Sequence, residues 1–144
     1  MTDLSHVKQM WAADAASRGL GIELLDLRLD HARVRMTITA AMVNGHAIAN
    51  GGFLFTLADS AFALACNSRG LLTVAAGADI TFVAAARLGD NLVADATQRT
   101  AYGRNGITDV TLTRESDGMV IAEFRGRSRT PRNLGTVRPV DPQT

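Results

Sequence analysis

The segment at 51–68, GGFLFTLADSAFALACNS, constrains the folding of this 144-residue chain more than any other. It is long, rich in helix formers and apolar on nearly every side. A surface helix keeps one polar face, whereas a helix that is apolar all round has to be covered all round. Gly70 stands just beyond it, where a left-handed C-terminal cap is favoured. The rest of the chain must therefore supply a wrapping layer.

That layer is read from period-two alternation. In 22–29, Leu25, Leu27 and Leu29 alternate with Asp26 and Arg28; in 33–39, Val34, Met36 and Ile38 alternate with Arg33, Arg35 and Thr37. Both patterns are those of half-buried strands, with a turn at Asp30–His31 between them. After the central helix, strands are expected over 72–84, 92–101, 107–114 and 119–128, with hairpin turns at Asn105–Gly106 and Asp117–Gly118. Before the first strand, Leu4, Val7, Met10 and Trp11 recur at helical spacing, so one helix is expected over 3–18, started by Asp3 and ended by Gly19 and Gly21. Residues 40–50 show neither period and contain Asn44–Gly45, which marks a loop. The expected class is α+β, a long buried helix wrapped by a curved antiparallel sheet, its open side closed by a second copy of the chain. Residues 1–130 form one domain in this reading, and 131–144, which hold all three prolines, form a C-terminal tail.

Composition narrows the function classes. A net charge of +1 gives no general pull toward nucleic acid or membrane. The single Cys66 excludes an intrachain disulfide and favours a reducing, cytoplasmic setting. No stretch is long and uncharged enough to span a bilayer, and the N-terminus lacks a signal-peptide pattern. No His, Cys and carboxylate cluster has metal-ligand spacing, no phosphate-binding glycine loop is present, and Ser60 and Ser68 lack a nucleophile-elbow context.

Asp59 is the chemical anomaly, a carboxylate between Leu57–Ala58 and Ala61–Phe62 in the most apolar helix of the chain. Removing a carboxylate from water costs several kcal/mol unless it is paired. Either it serves chemistry, or it hydrogen-bonds locally on a wetter stripe with Thr56 and Ser60. Gly51 and Gly52 open the same helix, where the first amides have no internal partner and face the positive end of the dipole. Such amides can stabilise a developing oxyanion, although a glycine pair also serves as a plain tight turn. Asn44 on the preceding loop can orient a water, and His46 beside it can act as a base or stay solvated. Arg125 and Arg127 alternate along the last strand, either as a cationic face for phosphates or as a solvated edge. The pocket wall is expected to include Phe53, Leu54, Phe62 and the segment at 73–79.

Gly51 and Asp59 are eight positions apart, about 12 Å along a helix at ~1.5 Å per residue. One carbonyl cannot be held by the first and attacked from the second on the same helix. Two such helices running antiparallel across a twofold would bring Asp59 of one subunit near Gly51 of the other.

The ordered run from Met42-Val43-Asn44-Gly45-His46 through Gly51-Gly52 to Leu57-Ala58-Asp59-Ser60-Ala61-Phe62-Ala63 and Ala65-Cys66-Asn67-Ser68, with Phe124-Arg125-Gly126-Arg127-Ser128 later, resembles the PaaI-type hotdog thioesterases associated with phenylacetic acid degradation. The resemblance covers about 22–128. It implies the hotdog fold and hydrolysis of aromatic acyl-CoA thioesters without a metal or other cofactor, coenzyme A being part of the substrate. It also implies a homo-oligomer, commonly a dimer of dimers. The implied catalytic residues are Asp59 as nucleophile or general base, Gly51 as carbonyl donor and Asn44 as orienting amide. The residues expected to bind substrate are Asn50, Gly52, Ser60, Phe53, Arg125 and Arg127. Where the family usually has His before the two glycines, this chain has Asn50, which can donate a hydrogen bond but cannot titrate near neutrality. The alternative is a hotdog acyl-CoA-binding or hydratase-like protein without thioesterase activity.

Overall fold

A computed structural model describes residues 2–132 of the protein. The chain runs through α1 (Ser5–Ala12), α2 (Ala15–Gly19), β1 (Glu23–Arg28), β2 (His31–Thr37), a short 3-10 turn (Ala40–Met42), α3 (Gly51–Asn67), β3 (Val74–Phe82), β4 (Asn91–Tyr102), β5 (Asn105–Arg114) and β6 (Val120–Arg129). The strands form one sheet of six in the order β1-β2-β4-β5-β6-β3, with every neighbouring pair antiparallel. The tail expected at 131–144 lies, apart from Pro131 and Arg132, outside the described residues.

The apolar α3 is the hub. It touches every strand of the sheet, which a straight helix can do only if the sheet curves around it. Leu57, Ala58, Ala61, Leu64 and Ala65 of α3 are fully buried. The strand face that meets them carries mostly small and medium residues, among them Ala32, Val34, Ala94, Ala96, Val110, Leu112, Ala122 and Gly126, with Met36 and Phe124 as larger members. At Gly126 no side chain fits at all, because a Cβ there would stand 2.7 Å from the ring of the buried Phe62. Charged residues take the alternate positions and face outward, as period-two strands require.

Three sequence expectations change in detail. The single N-terminal helix over 3–18 is two helices, because Asp14 turns out of helical geometry and caps α2, accepting the Ser17 N–H at 2.9 Å. The β4–β5 turn falls at Gly103–Arg104, not Asn105–Gly106; Gly103 takes φ +57° there, and Asn105 already pairs with Tyr102. The strand expected at 72–84 is β3, which lies at the sheet edge beside β6, away from its sequence neighbour β4.

The β1–β2 turn is tied to the end of α3 through Asp30. This residue holds φ +61°, a left-handed conformation that Asp tolerates better than most residues. Its carboxylate receives two hydrogen bonds from Arg69, at 2.8 and 2.7 Å, and one from the Gln98 amide at 3.0 Å. Its backbone N–H donates to the Ser68 hydroxyl at 2.7 Å. Arg69 in turn holds the Asp30 carboxyl below the usual carboxylate range.

Candidate active site

The loop before α3 is built around Asn44. Its side-chain oxygen accepts the backbone N–H of His46 at 2.9 Å and of Ile48 at 3.3 Å, closing a turn in which Ala47 takes φ +61°. The Asn44 oxygen is thereby committed to the loop, and its NH2 group is left to donate elsewhere. Asn50 then caps α3: its side-chain oxygen accepts the Gly52 N–H at 2.8 Å, and its own N–H donates to the Met42 carbonyl at 2.7 Å.

This cap sorts the two glycines. The Gly52 N–H is taken, whereas the Gly51 N–H meets no acceptor among the described residues. Gly51 lines a cavity of about 400 Å³ together with Asn44, Ile48, Leu54, Phe82 and Val83. A Cβ at Gly51 would stand 2.7 Å from the Phe82 ring, so glycine keeps this part of the cavity open. An unpaired amide, a side-chain amide donor and an apolar wall thus share one cleft.

Asp59 lies on α3 two turns further on, half-buried, with no hydrogen-bond or ion-pair partner among the described residues. Burial raises its pKa above the ordinary carboxylate value, and the negative charge of Asp14 raises it further. Asp59 does not line the cavity at Gly51. Asn44 and Gly51 are brought together within the chain, and Asp59 is kept apart from them by the length of the helix.

Other expected site residues lie elsewhere. The Ser60 hydroxyl is buried and faces α2, 2.7 Å from the Ser17 hydroxyl and 3.0 Å from the Thr56 carbonyl. Phe53 is half-buried and Phe62 is fully buried in the core; neither lines the cavity, whose far wall is 82–86 and not the expected 73–79. Arg125 and Arg127 do not form a free cationic face. Arg125 donates to both oxygens of Asp109, at 2.7 and 2.9 Å, and Arg127 to Asp79 at 2.8 Å, all on the outer face of the sheet. Sequence reasoning placed these arginines on one face but could not see the aspartates that adjacent strands set opposite them. His46 is exposed. Burial pushes the Cys66 thiol up to about 12, which removes it as a nucleophile. Among the described residues no group of three His, Cys, Asp or Glu side chains could hold a metal ion, and no helix is long and apolar enough to cross a membrane.

Comparison with known proteins matches residues 46–121, from the cavity loop to the start of β6, to the thioesterase superfamily. The acyl-coenzyme A thioesterase PaaI of Escherichia coli K12 is 41% identical over 119 residues, covering 83% of this chain and 84% of that protein. The chain belongs to the thioesterase superfamily. It has the hotdog fold, and it is a thioester hydrolase. The solved structure of E. coli PaaI, from the phenylacetic acid degradation operon, superposes with a TM-score of 0.84 at 39% identity, covering 90% of this chain and 96% of that one. A variant of the phenylacetic acid degradation protein PaaI of Thermus thermophilus superposes at 0.78, with 32% identity over 82% of this chain and 100% of that one. A thioesterase of Streptococcus pneumoniae solved with coenzyme A superposes at 0.72, with 25% identity over 75% of this chain and 86% of that one.

Proposed function

We propose that the protein hydrolyses aromatic acyl-CoA thioesters of the phenylacetyl or hydroxyphenylacetyl type to the free acid and coenzyme A, in sites shared between two subunits. The observation that carries this reading is the pairing of two groups on one helix that are unsatisfied among the described residues: a half-buried Asp59 carboxylate without a partner and a Gly51 amide without an acceptor. The acyl-CoA class is supported by the E. coli relative, named an acyl-coenzyme A thioesterase, and by the pneumococcal thioesterase solved with coenzyme A. The aromatic acyl group is supported by the relatives named for phenylacetic acid degradation.

In this reading the thioester carbonyl enters the cleft beside Gly51, whose N–H donates to the oxygen as it becomes anionic. Asp59 from the second subunit attacks the carbon or draws a proton from an attacking water, and Asn44 donates from its NH2 group to hold the water or the carboxylate. The carbon–sulfur bond breaks and coenzyme A leaves as its thiolate; where water attacked, the free acid forms directly, and where Asp59 attacked, water then hydrolyses the acyl–Asp59 anhydride to the free acid and restores the carboxylate. No metal or further cofactor is called for, because a thioester has weak resonance stabilisation and a good leaving group. The second subunit is supported by β3, an edge strand whose outer side has no partner among the described residues and which ends at the exposed Phe82, with the exposed Val83 just beyond it. A dimer, and a pair of such dimers, is therefore the assembly proposed, and the cytoplasm its setting.

Thiol release from phenylacetyl-CoA, benzoyl-CoA, acetyl-CoA and a long-chain acyl-CoA tests the proposal. Rapid release from the aryl thioesters is expected, with Asp59→Asn lowering it by roughly 10²-fold or more while the oligomer persists. Preference for the long-chain substrate would overturn the acyl assignment, and full activity in Asp59→Asn would overturn the site.

A further inference from the structure

Asp59 has no partner of its own among the described residues, but the residue after it is tied down. Asp14, at the start of α2, accepts the Ser17 hydroxyl at 2.6 Å as well as the Ser17 N–H. The same hydroxyl lies 2.7 Å from that of Ser60, and both serines are buried. Ser60 also reaches the Thr56 carbonyl at 3.0 Å, so its one hydrogen is shared between Ser17 and Thr56. A continuous chain thus runs from the Asp14 carboxylate to the turn of α3 on which Asp59 stands.

We infer that Asp14 is a positioning residue for Asp59, holding that turn through Ser17 and Ser60 and adding a second negative charge on the α2 side of the reactive carboxylate. The inference rests on the reading of Asp59 as the catalytic carboxylate. Its physical content is basicity: a carboxylate with a like charge beside it binds a proton more readily, and so serves better as base or nucleophile near neutral pH. Burial is the larger cause of the raised Asp59 pKa, and Asp14 is the charge that adds to it.

Among the described residues no cation forms an ion pair with Asp14 or Asp59, although Arg18 lines the same cavity as Asp14. From α1, His6 contacts the Asn67 side chain and Lys8 is exposed. From α2, Arg18 donates to the Ala12 carbonyl. At the end of α3, Arg69 is held by Asp30, and Cys66 is a neutral thiol. On the sheet, Arg28 pairs with Asp26, Arg33 and His31 with Asp95, Arg35 with Glu115, Arg114 with Asp90 and Asp117, Arg99 and Arg125 with Asp109, and Arg127 with Asp79. Glu23, Glu123 and Arg129 are exposed.

The test is kcat/KM for phenylacetyl-CoA as a function of pH in wild type, Asp14→Asn, Asp14→Glu, Ser17→Ala and Asp59→Asn. Asp14→Asn keeps an oxygen for the Ser17 cap but removes the charge, so the acidic limb of the profile is expected to move to lower pH. Asp14→Glu, which restores the charge, is expected to move it back. Ser17→Ala keeps the charge and breaks the hydroxyl chain, so kcat is expected to fall with the limb unmoved. If Asp14→Asn does not fold, Asp14→Ser takes its place as an uncharged cap. An unmoved limb in the uncharged variants, with Asp59→Asn inactive, overturns the role of Asp14 and leaves that of Asp59 standing. An active Asp59→Asn overturns the reading on which the inference rests.

Discussion

Asp59 costs the protein stability in the form in which it would react. Its pKa is raised on folding, so between the ordinary value of 3.8 and the raised value the folded chain binds more proton than the unfolded one. Stability attached to this group is fully present below 3.8 and is lost as pH rises through the folded pKa. Asp59→Asn replaces the carboxylate with a neutral group of the same shape. It is expected to raise Tm at neutral pH, with the gain shrinking as the pH is lowered toward 3.8, as read by thermal denaturation of both proteins across that range. An inactive variant that is more stable only at the higher pH would mark a carboxylate kept for function against its folding cost. That such a group sat in the apolar helix was legible from the residues on either side of it. That Asp14 stood beside it was not, because the two are 45 positions apart and meet only when α2 docks on α3.

The placement of α3 depends on what the strands leave out. Gly126 of β6 lies beneath Phe62, and any side chain there would drive into a ring that has nowhere to go. Gly126→Ala is therefore expected to destabilise the fold by about 1–3 kcal/mol through overpacking, measured by urea denaturation. Gly51 is different, because the atom a Cβ would meet is the tip of an exposed Phe82 ring that can turn away. The two glycines look alike in the sequence. One makes room for a helix inside the core, and the other keeps a cleft open for a ligand. That these segments are strands followed from alternation, yet the hairpin at Gly103–Arg104 was displaced by two residues from its expected place. Asn105–Gly106 has the composition of a turn, but Gly106 is needed inside the sheet, where a Cβ would meet Gln98 and Ser128 at 2.6 and 2.8 Å.

At the scale of the whole molecule, the three groups proposed for catalysis do not converge within one chain. Asn44 and Gly51 share a cavity that Asp59 does not line. If the working site joins Asp59 of one subunit to Gly51 of the other, two separately inactive variants should complement each other. Gly51→Val keeps the amide but fills the approach to it, and Asp59→Asn removes the carboxylate. Co-refolded, they form heterodimers in which one site is intact and the other carries both defects, so each heterodimer is expected to recover about half of the wild-type activity. Tag-purified heterodimers assayed for thiol release check this, and an inactive heterodimer would place both residues in a single-subunit site.

The sequence by itself determined what depends on near neighbours. The central helix was apolar all round, the strands alternated, one carboxylate stood in the apolar helix, and eight positions separated it from the glycine that opens the helix. These follow from helical and strand periods, which are properties of consecutive residues. Only the tertiary structure decided which of two adjacent glycine amides stays free, since that turns on the Asn50 cap. It also decided that Arg125 and Arg127 are matched by Asp109 and Asp79 on flanking strands, that β3 closes the sheet at its edge, and that Asp14 adds its charge to Asp59. Each of these depends on which distant segments the sheet and helices set side by side, and a one-dimensional pattern carries no record of that.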